Sequence, residues 1–153
     1  MNMKPIRNST KAIIQRSGYL LLTQNMDREG LFYLFPGGGQ EHGEQLSETL
    51  VRECMEEIGQ KVVVGELTHI REYIGAHHQF SEVDGDAHQV EFYFACELEH
   101  EGDNFEGTNP DEYQVGVEWV AIDKLHEIRL FPAQLGLILQ GKKPAVCYLG
   151  DTN

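Results

Sequence analysis

Hydrophobic and polar residues alternate along much of the chain, as is typical of β-strands. The clearest alternation is QVEFYFACEL at 89–98, and the segments 11–16 and 19–23 flank Ser17-Gly18 in the pattern of a β-hairpin. Further strands are predicted over 31–35, 61–73 and 115–122. Gly65 indicates a bulge or turn within the long extended segment. Strands therefore dominate the predicted fold.

Two segments have the spacing of helices. Residues 45–57 carry apolar side chains on one stripe that can pack on a sheet, and Gly59 suits the C-cap. That stripe consists of Leu50, Val51, Cys54 and Ile58. A second helix is predicted over 133–139, because Pro132 suits its first turn. The resulting order of elements is a β-rich α/β pattern.

The first helix has an acidic face beside its apolar stripe. Glu53, Glu56 and Glu57 are spaced i, i+3 and i+4 and so share one face, where like charges repel each other. Three carboxylates in that arrangement indicate a bound cation. Carboxylate oxygens are hard ligands that suit Mg²⁺, Mn²⁺ or Ca²⁺. For the helix taken alone, a solvated acidic face is the alternative.

The residues before the helix strengthen the case for a site. The run FPGGG at 35–39 cannot form regular helix or an inner strand, and its glycines permit close approach of the backbone to a ligand. Arg52 lies four residues from both Glu48 and Glu56 and can pair with either. An EF-hand calcium loop does not fit, because that loop needs alternating Asp or Asn ligands around one glycine.

Residues 38–59 resemble the Nudix box, G-x5-E-x7-R-E-U-x-E-E-x-G-U, where U is a bulky apolar residue. The fixed positions are occupied by Gly38, Glu44, Arg52, Glu53, Glu56, Glu57 and Gly59. Cys54 stands at the first U, whereas Gln60 departs from the pattern at the last U. That departure weakens packing at the helix exit and changes no charged position. The segment 118–125 also resembles a strand and turn found late in many Nudix domains.

The resemblance implies an α/β fold, namely a Nudix-type α/β/α sandwich with a mixed β-sheet, in which 1–153 form a single Nudix hydrolase domain. It implies metal-dependent cleavage of a diphosphate linkage in a small nucleoside di- or triphosphate derivative. Nucleotide sugars, ADP-ribose and dNTPs all remain open, since 75–78 carries neither of the marks that distinguish subfamilies. A non-catalytic Nudix ligand-binding sensor is the alternative, and the intact box argues against it.

The resemblance also implies roles for the box residues. Glu53, Glu56 and Glu57 would hold Mg²⁺ or Mn²⁺, and the carbonyl of Gly38 would add a ligand. Glu53, Glu56 and Arg52 are the expected catalytic residues, with Arg52 orienting the carboxylates.

Two further box residues, Glu44 and Gly59, are implied to be structural or outer-shell groups. The base that activates the attacking water stays open between Glu53 and a glutamate on a distant loop. The candidates on that side are Glu106, Glu112 and Glu118. The sequence does not choose between them.

The net charge of the chain limits the kinds of molecule that it is expected to bind. The formal net charge of −13 argues against broad binding to nucleic acid or to anionic membranes, which requires Lys and Arg patches. Divalent cations can bridge the repelling carboxylates and phosphates. A small nucleotide is the expected partner, and the resemblance also allows a homodimer.

The cysteines and the N-terminal residues indicate the cellular compartment of the protein. Cys54, Cys96 and Cys147 are odd in number and mostly flanked by apolar residues, so they are predicted to be buried thiols in a reducing compartment. Residues 1–10 are polar, and no apolar run approaches membrane-spanning length. A cytoplasmic enzyme is therefore predicted. The histidines at 77, 78 and 88 are predicted to be exposed loop residues rather than a zinc site. Whether the loop from Gly75 to Ala87 is a lid or a disordered connection stays open.

Overall fold

The computed structural model of the chain describes residues 4–102 and 104–153. The strands are β1 (Arg7–Arg16), β2 (Tyr19–Asp27), β3 (Gly30–Leu34), β4 (Gly37–Gly39), β5 (Val62–Ile74), β6 (His88–Leu98), β7 (Gln114–Ala121), β8 (Leu130–Phe131) and β9 (Tyr148–Asp151). The helices are α1 (Leu46–Ile58), α2 (Ser81–Asp84) and α3 (Ala133–Leu139). Short 3₁₀ turns cover Gly75–His77 and Ile122–Glu127.

The strands form one mixed sheet in the order β8-β3-β2-β1-β6-β5-β9, with β4 paired to β1 and β7 paired to β2. Strand β1 joins its two parts. Gln15 and Arg16 pair antiparallel with β2, whereas Arg7 to Ile14 pair in parallel with β6. Because β1 changes partners along its length, the sheet curls and leaves a cleft between its two halves.

Alternation along the central strands places apolar side chains on both faces of the sheet. Ile13, Leu20 and Leu22 belong to one core cluster, together with the buried residues of α3. Ile14 and Leu21 point the other way, into a second cluster with the apolar stripe of α1. Helices thus cover both faces, which confirms the predicted α/β sandwich with a mixed sheet.

Most predicted elements are present. Helix α1 begins and ends within one residue of its predicted bounds, and β5 shifts register between Val64 and Leu67, around the predicted bulge at Gly65. The glycine run forms the short edge strand β4. Strands β8 and β9 were not predicted. Cys54 and Cys96 are buried, but Cys147 is exposed, so the prediction of a buried thiol was wrong there.

The histidine-rich connection is anchored rather than loose. His77 Nδ1 lies 2.7 Å from Asp151 Oδ2, and His78 Nε2 lies 2.6 Å from Asp151 Oδ1, at the end of β9. Burial raises the pKa of Asp151, but the hydrogen bonds from His78 and His77 outweigh it and lower that pKa to about 2. His88 Nε2 lies 2.9 Å from Glu72 Oε1. Within residues 4–102 and 104–153, no helix is long and apolar enough to cross a membrane.

Candidate active site

Helix α1 is fixed at both ends. At its start, the backbone N–H of Gln45 donates to Glu48 Oε1 (2.9 Å) in a capping box. At its end, Gly59 adopts the left-handed conformation (φ 67°), which favours glycine, and a Cβ there would lie 2.2 Å from the carbonyl oxygen of Glu106. Asn109 N and Gln114 Nε2 donate to the last helical carbonyls, at 2.9 and 2.8 Å. The connection before β7 therefore closes over the end of the helix that carries the glutamates.

Arg52 holds three box carboxylates in one network. Its Nε donates to Glu44 Oε2 at 2.7 Å and its Nη2 to Glu44 Oε1 at 2.9 Å, a bidentate pair. Its Nη1 donates to Glu53 Oε1 at 2.9 Å and reaches Glu56 Oε2 at 3.4 Å. Hydrogen bonds from Arg52 and from the Glu41 backbone lower the pKa of Glu44 to about 2. The guanidinium thereby sets the orientation of the acidic face.

Glu57 is the most deeply buried of the box carboxylates on α1. It is only 4% exposed, and its Oε1 accepts a hydrogen bond from the backbone N–H of Gly37 at 2.8 Å. Burial, followed by the adjacent carboxyl of Asp111, raises its pKa well above the ordinary value. The charge of Lys11 opposes this rise but does not cancel it. Glu57 is therefore a buried carboxyl whose charge no nearby cation fully balances.

Glu53 lies against the glycine strand. A Cβ on Gly38 would lie 2.3 Å from Glu53 Oε2, so only glycine lets the carboxylate approach β4 this closely. Burial raises the pKa of Glu53, and although Arg52 opposes this, the charges of Glu56 and Asp111 add to the rise. Negative charge is therefore concentrated where α1 meets β4.

These donors suit a hard divalent cation, but their present rotamers do not form a finished site. Among residues 4–102 and 104–153, no three His, Cys, Asp or Glu side chains are grouped so as to hold one ion. Glu53 is turned toward Arg52, and Glu57 is turned toward the backbone of Gly37. Carboxylate oxygens are nevertheless the ligands that Mg²⁺ and Mn²⁺ prefer.

The distant acidic residue beside this cluster is Asp111. It acts on both Glu53 and Glu57. Glu118 instead accepts hydrogen bonds from Gln24 Nε2 (2.6 Å) and the Tyr33 hydroxyl (3.1 Å), on β7. Glu106 and Glu112 are exposed. Sequence reasoning missed Asp111 because several acidic residues share its connection and no local spacing singles it out.

A cavity of about 610 Å³ lies in the cleft of the curled sheet, and its lining includes Lys11 but none of the box carboxylates. Its sheet side is formed by Lys11, Arg71, Tyr73, Gln89, Glu91 and Tyr93. Phe32, Phe80 and Phe131 form an aromatic group on the other side, with ring centroids 5.4 to 6.3 Å apart. The charge of Lys11 acts on Glu57 as well as on Glu91, so Lys11 connects the acidic cluster to the cavity.

Comparisons with known proteins agree with this architecture. The model of the NUDIX domain matches residues 5–140. The nucleoside triphosphatase NudI of Salmonella agona is 39% identical over 59 residues, which are 37% of this chain and 42% of that protein. The chain thus matches less than half the length of this curated relative.

Solved structures extend the likeness over nearly the whole chain. A NUDIX hydrolase from Nitrosomonas europaea has a TM-score of 0.70 at 20% identity, covering 93% of this chain and 94% of that one. The mutator MutT protein from Bacillus halodurans has a TM-score of 0.64 at 26% identity, covering 94% and 87%. The first shows the fold, and the family model spans most of the sequence. With the box on α1, these findings show that the chain belongs to the Nudix hydrolase family.

Proposed function

We propose that this chain hydrolyses a diphosphate linkage in a small nucleoside di- or triphosphate derivative, with Mg²⁺ or Mn²⁺ as cofactor. The observation that carries the proposal is the acidic cluster of α1, in which buried Glu57 is adjacent to Asp111 and is also acted on by Lys11, a residue that lines a cavity of about 610 Å³. Carboxylates gathered at the edge of a cleft are what a metal-bridged phosphate chain requires.

Glu53, Glu56 and Glu57 are the residues proposed to hold the cation, and the carbonyl of Gly38 is the proposed fourth donor. A cation held there would supply electrostatic stabilisation of the phosphoryl oxygens and would lower the pKa of a water bound to it. Arg52 keeps Glu53 and Glu56 oriented through its hydrogen bonds.

Lys11 and Asp111 complete the proposed machinery. Lys11 lines the cavity and lies near Glu57, where a cation can bind the phosphate chain of the substrate. Asp111 is adjacent to Glu57, in the connection that closes over the end of α1. We propose that Asp111 is the distant base, whose carboxylate accepts the proton of the attacking water. Glu106, Glu112 and Glu118 were the sequence candidates for that part.

A nucleoside triphosphate is the substrate class favoured by the comparison with NudI, whose name describes a nucleoside triphosphatase. Cytoplasmic location belongs to the same proposal and is supported by the buried free thiols of Cys54 and Cys96.

The test is product analysis with the purified protein. A panel of nucleoside triphosphates, nucleotide sugars and ADP-ribose is incubated with Mg²⁺, with Mn²⁺ and with EDTA. The proposal expects metal-dependent turnover, giving pyrophosphate and a nucleoside monophosphate from a triphosphate. It expects this turnover to be lost in Glu57→Gln and kept in Glu97→Gln, which removes an exposed carboxylate. Turnover that persists in EDTA, or in Glu57→Gln, contradicts the proposal.

A further inference from the structure

The sheet side of the cavity is an ordered grid of polar side chains. Lys11 on β1 is paired with Tyr93 on β6, and two residues away Ser9 is paired with Glu91. Glu91 is in turn paired with Arg71 on β5. Side chains two residues apart on one strand point to the same face, so this grid faces the cavity. Diagonal neighbours in a sheet are roughly 7–8 Å apart, which places Glu91 about one such step from Lys11.

Glu91 uses only one of its two oxygens within the protein. Its Oε1 accepts hydrogen bonds from Arg71 Nε at 2.8 Å and from the Tyr93 hydroxyl at 2.6 Å. In the part of the chain that the structure describes, Oε2 has no hydrogen-bond donor. Among the described residues, Thr10 Oγ1 is an example of a polar atom that is sealed from solvent and has no partner, and Glu91 Oε2 is not sealed in this way. Since Glu91 lines the cavity, Oε2 is reached from there.

This oxygen is kept as an acceptor. Burial raises the pKa of Glu91, but the charges of Arg71 and Lys11 outweigh burial and leave the pKa below its ordinary value. The residue is 4% exposed, so its free oxygen is shielded from bulk water. A shielded acceptor discriminates strongly against a ligand that cannot donate to it, because the acceptor is then left unpaired.

The surroundings of Glu91 suit a flat ring rather than a phosphate. Tyr73 and Tyr93 flank it on the sheet, and Phe32, Phe80 and Phe131 lie on the other side of the cavity. Aromatic side chains provide faces on which a nucleobase stacks. Arg71 is already paired with Glu91 at 2.8 Å, so Lys11, which also acts on Glu57, is the cation that we assign to the phosphate chain. Base and phosphate chain are thereby assigned to different parts of the cleft.

We propose that Glu91 Oε2 accepts a hydrogen bond from a ring N–H of the substrate's base, and so selects nucleotides whose base carries that donor. The inference rests on the proposed function for the placement of the phosphate chain. The favoured bases are those with a lactam or imide N–H, as in guanine and uracil. Bases with an acceptor at that position are disfavoured, since two acceptors face each other.

The test measures binding of nucleoside monophosphates by isothermal titration calorimetry without metal. GMP is compared with 2-aminopurine ribonucleoside monophosphate, and UMP with the pyrimidin-2-one analogue, because each analogue replaces the ring N–H by an acceptor. The expected result is that Kd rises about 10- to 100-fold in at least one pair. In Glu91→Gln, whose uncharged amide can donate, the difference within that pair should shrink to about 3-fold or less. Glu72→Gln is the matched control, because Glu72 follows Arg71 on β5 and its substitution also removes one carboxylate. This variant should keep the wild-type difference in Kd.

Several outcomes overturn the inference. Equal affinities within both pairs, or no binding of any member, exclude base selection by Glu91. A loss of affinity caused by the 2′-deoxy nucleotide instead assigns the oxygen to a ribose hydroxyl. If Glu91→Gln does not fold, the wild-type comparison alone decides. The same Kd values are also measured in Glu57→Gln. Loss of hydrolysis in that variant does not prevent the binding measurement, so failure of the proposed function can be distinguished from failure of base selection by Glu91.

Discussion

Glu57, in the acidic cluster, and Glu91, in the wall of the cavity, are equally buried glutamates, yet the pKa values of their carboxyl groups shift in opposite directions. Both are 4% exposed. Burial and the neighbouring Asp111 raise the pKa of Glu57. Burial has the same sign at Glu91, but the charges of Arg71 and Lys11 reverse it and lower the pKa. The difference lies in the partners and not in the depth of burial.

Under the proposed function, the carboxyl of Glu57 receives a metal cation, whereas the carboxyl of Glu91 is already paired with the cation of Arg71. Arg71 Nε lies 2.8 Å from Glu91, and both side chains are 6% exposed. Glu57 accepts a hydrogen bond from the backbone N–H of Gly37, and its side-chain neighbour Asp111 is another carboxyl rather than a cation. A metal ion can therefore supply at Glu57 what Arg71 supplies at Glu91. Substitution of Glu57 should consequently affect turnover, whereas substitution of Arg71 should affect stability.

The largest expected effect is on turnover. Glu57→Gln should lower kcat by roughly 10²- to 10⁴-fold, because the amide is a poor ligand for a hard cation. Glu56→Gln should act in the same direction. Steady-state hydrolysis with saturating Mg²⁺ measures the loss, with Glu97→Gln as the control for removal of one negative charge. A folded Glu57→Gln protein with near-normal turnover would remove Glu57 from the site.

Substitution at the Arg71–Glu91 pair should instead lower the free energy of unfolding. Arg71→Met leaves Glu91 buried without its partner and should cost about 3–5 kcal/mol of unfolding free energy. Urea denaturation measures this loss. Lys61→Met breaks the exposed pair with Glu99 (3.6 Å) and should cost less than about 1 kcal/mol. If the two variants are equally stable, the buried pair does not stabilise the sheet as described.

A methyl group placed between α1 and β4 should impair the acidic cluster while the fold persists. In Gly38→Ala the new Cβ would lie 2.3 Å from Glu53 Oε2, so the carboxylate must move. Displacement of a positioned group is expected to lower kcat/KM by about 10- to 100-fold. Gly102→Ala is the control, because a Cβ there meets nothing within 4 Å. Unchanged kcat/KM in Gly38→Ala would show that Glu53 tolerates displacement.

The smallest effects are opposite dependences of stability on pH in EDTA. At Glu91 the folded pKa lies below the ordinary 4.5, so its stabilisation is present above that pH and is lost as the pH falls through the folded pKa. At Glu57 the folded pKa lies above 4.5, so the stabilisation is present below that pH and is lost as the pH rises. Denaturation curves across this range should show a shallower alkaline decline in Glu57→Gln than in the wild type. Identical declines would contradict the account of Glu57.

The box could be predicted because its residues are close in sequence. Helical spacing alone brings Glu53, Glu56 and Glu57 to one face, and Arg52 pairs with Glu56 at i+4. The sheet on which α1 packs follows from alternation in its longest strands.

The cleft could not be predicted, because tertiary pairing creates it. Arg71 meets Glu91 only through the register of β5 and β6. Asp111 reaches Glu57 through the course of a connection whose composition does not distinguish it from Glu112. Strand β9 is short and contains Gly150 at positive φ, so it carries no alternation that marks a strand.

The most direct test of the central claim is Mn²⁺ binding, counted by electron paramagnetic resonance in the wild type, Glu57→Gln and Glu91→Gln. The account predicts that Glu57→Gln weakens Mn²⁺ binding at least about 10-fold, whereas Glu91→Gln binds as the wild type does. Equal weakening in both variants, or none in Glu57→Gln, would contradict the claim that Glu57 is the buried carboxyl built to receive a cation.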